Sequence, residues 1–158
     1  MSDVVGDTMK TALHTIRPEQ REDVLVKLRA GLERVSGLRF AYVYGSVLES
    51  DRVHDVDIGI YLDETAIAQQ TAIVDALTAR LTAAVGIPVD VRLLNEAPLS
   101  FLYHVLRGRL LLCRDETFLT DMLEEVPRRY LDLAPLLHSS TKDAFAARAG
   151  IRTSSRHV

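Results

Sequence analysis

A chain of 158 residues, 47% hydrophobic and 26% charged, suits one globular domain with a substantial core. Lys and Arg number 19 against 22 Asp and Glu, and the net charge of -3 excludes an overall cationic field for a nucleic-acid backbone. The single cysteine, Cys113, excludes an internal disulfide and fits a reducing cytosol.

The N-terminal residues lack a basic segment followed by an apolar one, and no apolar run approaches a membrane span, so a soluble cytoplasmic protein is expected. Residues 1–16 carry few signals and are read as a short helix or a frayed arm. Pro18 suits a first helical turn, and Glu19, Glu22 and Asp23 follow near its positive end. Val24, Leu28, Leu32 and Val35 make one apolar stripe, and Gly37 ends the helix. Phe40 to Tyr44 is β-branched and aromatic enough for a strand, punctuated by Gly45 and Ser46. A second strand opens at Asp55, where Asp55 and Asp57 alternate with Val56, Ile58, Ile60 and Leu62.

Asp63 or Thr65 can cap a further helix with the stripe Ile67, Val74, Leu77 and Leu81, closed by Gly86 and Pro88. Val89 to Leu94 alternates again and sets Asp90 and Arg92 on one face. Pro98 starts a helix carrying Leu99, Leu102 and Leu106, and Gly108 stops it. Arg109 to Cys113 is a short apolar strand that makes Cys113 a small core residue. From Glu116 the pattern is helical, with a break or kink expected at Pro127. Four short strands and four or five helices predict an α+β domain over residues 1–138, a small mixed β-sheet with helices packed on one face. Residues 139–158 have few large apolar groups and are expected to form a loosely ordered C-terminal tail.

Asp55, Asp57 and Asp90 thus fall on the polar faces of two strands. Two unit charges about 4 Å apart repel by roughly 4 kcal/mol at an effective dielectric near 20, a large share of a domain's stability. A divalent cation is the simplest way to offset this, and an oxygen-only donor set selects magnesium or manganese over zinc. Such ions serve phosphoryl and nucleotidyl transfer. Gly45 and Ser46 supply a turn that a phosphate can approach closely. Taken singly, a Gly-Ser turn, an Asp-x-Asp strand or Asp90 is more often structural or solvated; their combination favours a metal–nucleotide site. Arg52 and Arg92 are open between phosphate contact and plain exposed charge, and His54 is read as structural or merely adjacent to the site.

In that order, Gly45-Ser46, Asp55-Val56-Asp57 and Asp90 resemble the signature of the DNA polymerase β-like nucleotidyltransferase superfamily. The compact size, the run from Val89 to Pro98 and the run from Leu106 through Gly108 and Cys113 to Asp115 resemble the minimal nucleotidyltransferase antitoxins that pair with HEPN-domain toxins. Tyr130 to Pro135 is similar to that family's tail. The resemblance implies a nucleotidyltransferase-like fold and a magnesium-dependent transfer of AMP from ATP to a tyrosine of a HEPN ribonuclease toxin. Asp55 and Asp57 would hold the metals, Asp90 would complete the site and deprotonate the tyrosine, and Gly45 and Ser46 would bind the triphosphate. The implied partners are the toxin, in a hetero-oligomer, and ATP, with no directly bound nucleic acid and no membrane. The connection 47–54 is shorter than usual in the family. That difference keeps open an antitoxin that masks its toxin by binding alone. Transfer to a small molecule of the aminoglycoside type is a third reading, disfavoured because such enzymes usually add a substrate domain.

Overall fold

The computed structural model describes residues 12–148, with side chains through residue 133. Among the described residues there are six strands: β1 (His14–Thr15), β2 (Leu38–Tyr44), β3 (Arg52–Val53), β4 (Val56–Leu62), β5 (Val89–Leu93) and β6 (Arg109–Cys113). The helices are α1 (Pro18–Glu33), the single turn α2 (Ser46–Glu49), α3 (Gln70–Val85), α4 (Leu99–Leu106) and α5 (Glu116–Arg148). Four strands form a mixed sheet in the order β5-β4-β2-β6, antiparallel except for the parallel pair β4 and β5. The expected α+β class is present.

Strand alternation decides what lies on each face. Val56, Ile58, Ile60 and Leu62 point to the layer formed by α1 and α3, together with Leu25, Leu28, Leu32, Leu77 and Leu81. Phe40, Tyr42 and Tyr44 point the other way and meet Leu94, Val105, Leu106, Leu119 and Val126 from the sheet end, α4 and α5. The helix-covered face is therefore joined by a second. The reason lies in β2, where six of the seven residues are buried and both alternating sets are apolar apart from Arg39, so neither can be left to water without losing about 1.5–3 kcal/mol per large side chain.

Local chemistry bounds these elements much as expected. Pro18 opens α1, and the Arg17 N–H donates to Gln20 Oε1 at 3.1 Å. Asp63 Oδ1 accepts from the Thr65 and Ala66 amides in the turn leading to α3, but α3 itself begins at Gln70 with Gln69 in the N-cap position and no side-chain cap, so the expected capping by Asp63 or Thr65 is corrected. Gly86 closes α3 in the left-handed conformation as expected. Asn95 fastens the end of β5 to its neighbour, since its Oδ1 accepts from the Leu62 N–H at 2.9 Å and its Nδ2 donates to the Leu62 carbonyl at 2.8 Å.

Two further local expectations are corrected. Within the segment read as a helix or arm, His14–Thr15 pairs antiparallel with β3, and the Ile16 amide donates to the Asp51 carbonyl at 2.7 Å. Burial of Ile16 in the α1–α3 core anchors that short strand. Residues 1–11 lie outside the described residues. Of the break or kink expected at Pro127, the break does not occur: α5 runs from Glu116 to Arg148. Proline there deprives the carbonyl of Leu123 of its helical donor, and Leu123 is exposed, so water can take the donor's place. Of the predicted tail, residues 139–148 continue α5 and residues 149–158 lie outside the described residues. Among the described residues no helix is long and apolar enough to cross a membrane.

Candidate active site

The parallel pairing of β4 with β5 places Asp57 directly beside Asp90. Asp55 stands just before β4, on the same side as Asp57 by the period-two rule. One carboxylate oxygen from each of the three residues lies within 4.8 Å of the others. All three are partly buried, so their charges are only partly screened by solvent. Burial, then Asp55 and Asp90, push the Asp57 carboxyl up to about 6 from its ordinary value. Arg92 offsets part of this charge, with Nε donating to Asp90 Oδ2 at 3.2 Å. The spacing and the all-oxygen donor set fit a hard divalent cation.

The antiparallel register pairs Tyr44 with Asp57, so the turn after β2 begins beside the carboxylates. Gly45 adopts φ +82°, a conformation natural to glycine. Ser46 follows as the exposed first residue of α2. The two residues expected to meet phosphate therefore adjoin the three expected to meet metal. Arg92 is already paired with Asp90, Arg52 is exposed on β3, and His54 Nδ1 lies 3.3 Å from the Ala12 carbonyl. Cys113 is half-buried beside the aromatic layer, consistent with a packing role.

Several neighbours of the site were not picked out from sequence. A cavity of about 160 Å³ opens beside Gly45, lined among others by Tyr44, Glu49, His104, Arg107 and Gly108. The Tyr44 ring packs edge-on against His104 at 5.5 Å and Phe101 at 5.7 Å. Burial first, and Asp57 second, push the Tyr44 phenol well above its usual range, which keeps it neutral. His104 and Arg107 are three residues apart at the end of α4. That i, i+3 spacing was the available signal, but it does not say which cavity they face. A larger cleft, about 340 Å³, lies on the α1–α3 side between Arg34 and Arg80, away from the carboxylates.

The family model for polymerase beta nucleotidyltransferases matches residues 27–117, a span containing all four strands of the main sheet and all three aspartates. The chain belongs to this family. Its nucleotidyltransferase domain is similar to a solved toxin–antitoxin complex with AMP-PNP, at 19% identity over 76% of this chain and 98% of that one, with a TM-score of 0.51. It is also similar to a mutant of the MntA–HpeT toxin–antitoxin, at 18% identity over 77% of this chain and 98% of that one, again with a TM-score of 0.51. A third solved structure is the tri-AMPylated Shewanella oneidensis HEPN toxin in complex with MNT antitoxin, matched at 19% identity over 78% of this chain and 98% of that one, with a TM-score of 0.48. Identities this low speak to the fold. No curated protein matches the sequence.

Proposed function

We propose that this nucleotidyltransferase is an antitoxin that transfers AMP from ATP to a tyrosine of a partner HEPN ribonuclease toxin, silencing it in the cytoplasm. The observation that carries the reading is the convergence of Asp55, Asp57 and Asp90 beside the Gly45–Ser46 turn. The likeness to toxin–antitoxin structures, one of them with AMP-PNP, supports the class of partner and of nucleotide.

In this reading Asp55, Asp57 and Asp90 hold magnesium, which when bound supplies charge neutralisation at the phosphates. Gly45 gives the triphosphate room against the backbone, and the Ser46 hydroxyl and amide donate to it. Asp90, which accepts a hydrogen bond from Arg92 Nε, takes the proton of the incoming tyrosine hydroxyl in this reading. The tyrosine oxygen bonds to the α-phosphorus as the bond to the β-bridging oxygen breaks, and pyrophosphate leaves with that electron pair.

The test incubates the protein with its HEPN partner, magnesium and ATP labelled at the α-phosphate, then maps the label. Label on a toxin tyrosine, lost when Asp55 and Asp57 are replaced by Asn, is the expected result. An unlabelled toxin in a complex that forms normally overturns the transfer. The short connection 47–54 favours masking as the second reading: toxin neutralisation would then survive those same replacements.

A further inference from the structure

We propose that Arg107, assisted by His104, holds the β- and γ-phosphates of the nucleoside triphosphate in the cavity beside Gly45. This rests on the nucleotidyltransferase reading and deepens it by locating the polyphosphate end of the substrate. Four observations converge on it.

The first is position. Arg107 and His104 line the same cavity as Gly45, which itself adjoins Asp57. The distal phosphates of a nucleotide whose metal was held by Asp55, Asp57 and Asp90 would find this cavity on the other side of the Gly45 turn. The second is size. At about 160 Å³ the cavity is well below the roughly 300–1,000 Å³ of pockets that enclose whole drug-sized ligands, so it suits a small polyanion and not a nucleoside.

The third is availability. The two arginines singled out from sequence are otherwise placed, Arg92 on Asp90 and Arg52 on the short strand β3. Arg107 makes no ion pair among the described residues, and its guanidinium lies 5.5 Å from the Tyr103 ring centre, which steadies it without neutralising it. The fourth is construction. Gly108 turns the chain from α4 into β6, where an added Cβ would collide with the Val43 carbonyl and lie 3.0 Å from Tyr44 Cβ. Only a glycine lets the end of α4 settle this closely on β2, and that seating brings Arg107 over the turn.

Glu49 lines the same cavity and opposes a bound anion. Its presence gives the inference a signature that simple support of the α4 terminus would lack.

Binding of ATP, AMP and inorganic pyrophosphate is measured by calorimetry with magnesium, using the full chain. Arg107→Gln is expected to weaken ATP and pyrophosphate by about tenfold or more, Arg107→Lys to recover part of the loss, and AMP to change by less than about twofold. Glu49→Gln is expected to tighten pyrophosphate. Unchanged ATP affinity in Arg107→Gln, or equal losses for ATP and AMP, overturns the subsite while leaving the nucleotidyltransferase reading intact. Failure of the wild-type protein to bind ATP with magnesium overturns both. Circular-dichroism melting of each variant confirms that any loss belongs to a folded protein.

Discussion

Gly45 and Asp57 compete for one small volume: a Cβ on Gly45 would stand 2.8 Å from Asp57 Oδ2. The turn between β2 and α2 thus has two independent reasons to lack a side chain, the contact and its positive φ. Either alone would disfavour substitution; together they tie the phosphate-side turn to the metal-side carboxylate.

Gly45→Ala should therefore lower stability by about 1–3 kcal/mol from the backbone alone, since φ +82° with ψ -151° is a region open essentially to glycine. It should also displace the Asp57 carboxylate. Chemical denaturation checks the first effect, and magnesium-dependent labelling of the toxin, expected to fall by more than tenfold (about 1.4 kcal/mol in the barrier), checks the second.

The metal-free protein should carry a pH dependence traceable to Asp57. Its folded pKa of about 6 lies above the ordinary carboxylate value, so the folded chain holds this proton more tightly than the unfolded chain. The corresponding stability is complete below about pH 4 and is lost as pH rises through about 6. For a half-exposed group, screening leaves a contribution on the order of 1 kcal/mol. Urea midpoints of wild type and Asp57→Asn at about pH 5 and pH 7.5 isolate it, with the variant relatively more stable at the higher pH. Magnesium should raise the wild-type melting temperature at that pH and leave the variant unmoved.

Arg114, just after the edge strand β6, clamps the end of α1. Its guanidinium donates to the Glu33 carbonyl at 2.7 Å and to the Val35 carbonyl, filling acceptor positions that a helix terminus leaves open. Arg114→Met should cost about 1–2 kcal/mol by denaturation while toxin labelling, normalised to folded protein, stays unchanged.

Pro127 sits inside a continuous helix, where proline is disfavoured by about 3 kcal/mol against alanine. Pro127→Ala should consequently stabilise the protein by about 1–3 kcal/mol, read as a higher melting temperature. A lower melting temperature would mean that the local backbone has adapted to proline.

The amino-acid sequence by itself determined the four strands of the main sheet, the larger helices and the faces of those strands, but not the two-residue pair β1 and β3, which exists only through its tertiary pairing. Period-two alternation around Asp55, Asp57 and Asp90, the glycine after Tyr44 and the left-handed cap at Gly86 are local, and short-range sterics and burial read them directly. Tertiary structure alone decided which carboxylates meet. Asp57 and Asp90 are neighbours because the chain crosses through α3 to lay β5 parallel to β4, and no local pattern encodes that pairing. The same holds for Arg107 and His104. They reach the Gly45 turn because α4 packs across the aromatic face of β2, where Tyr44 meets Phe101 and His104. The second covered face arises likewise, from the burial demand of both sides of β2, which becomes visible only when the layers are assembled.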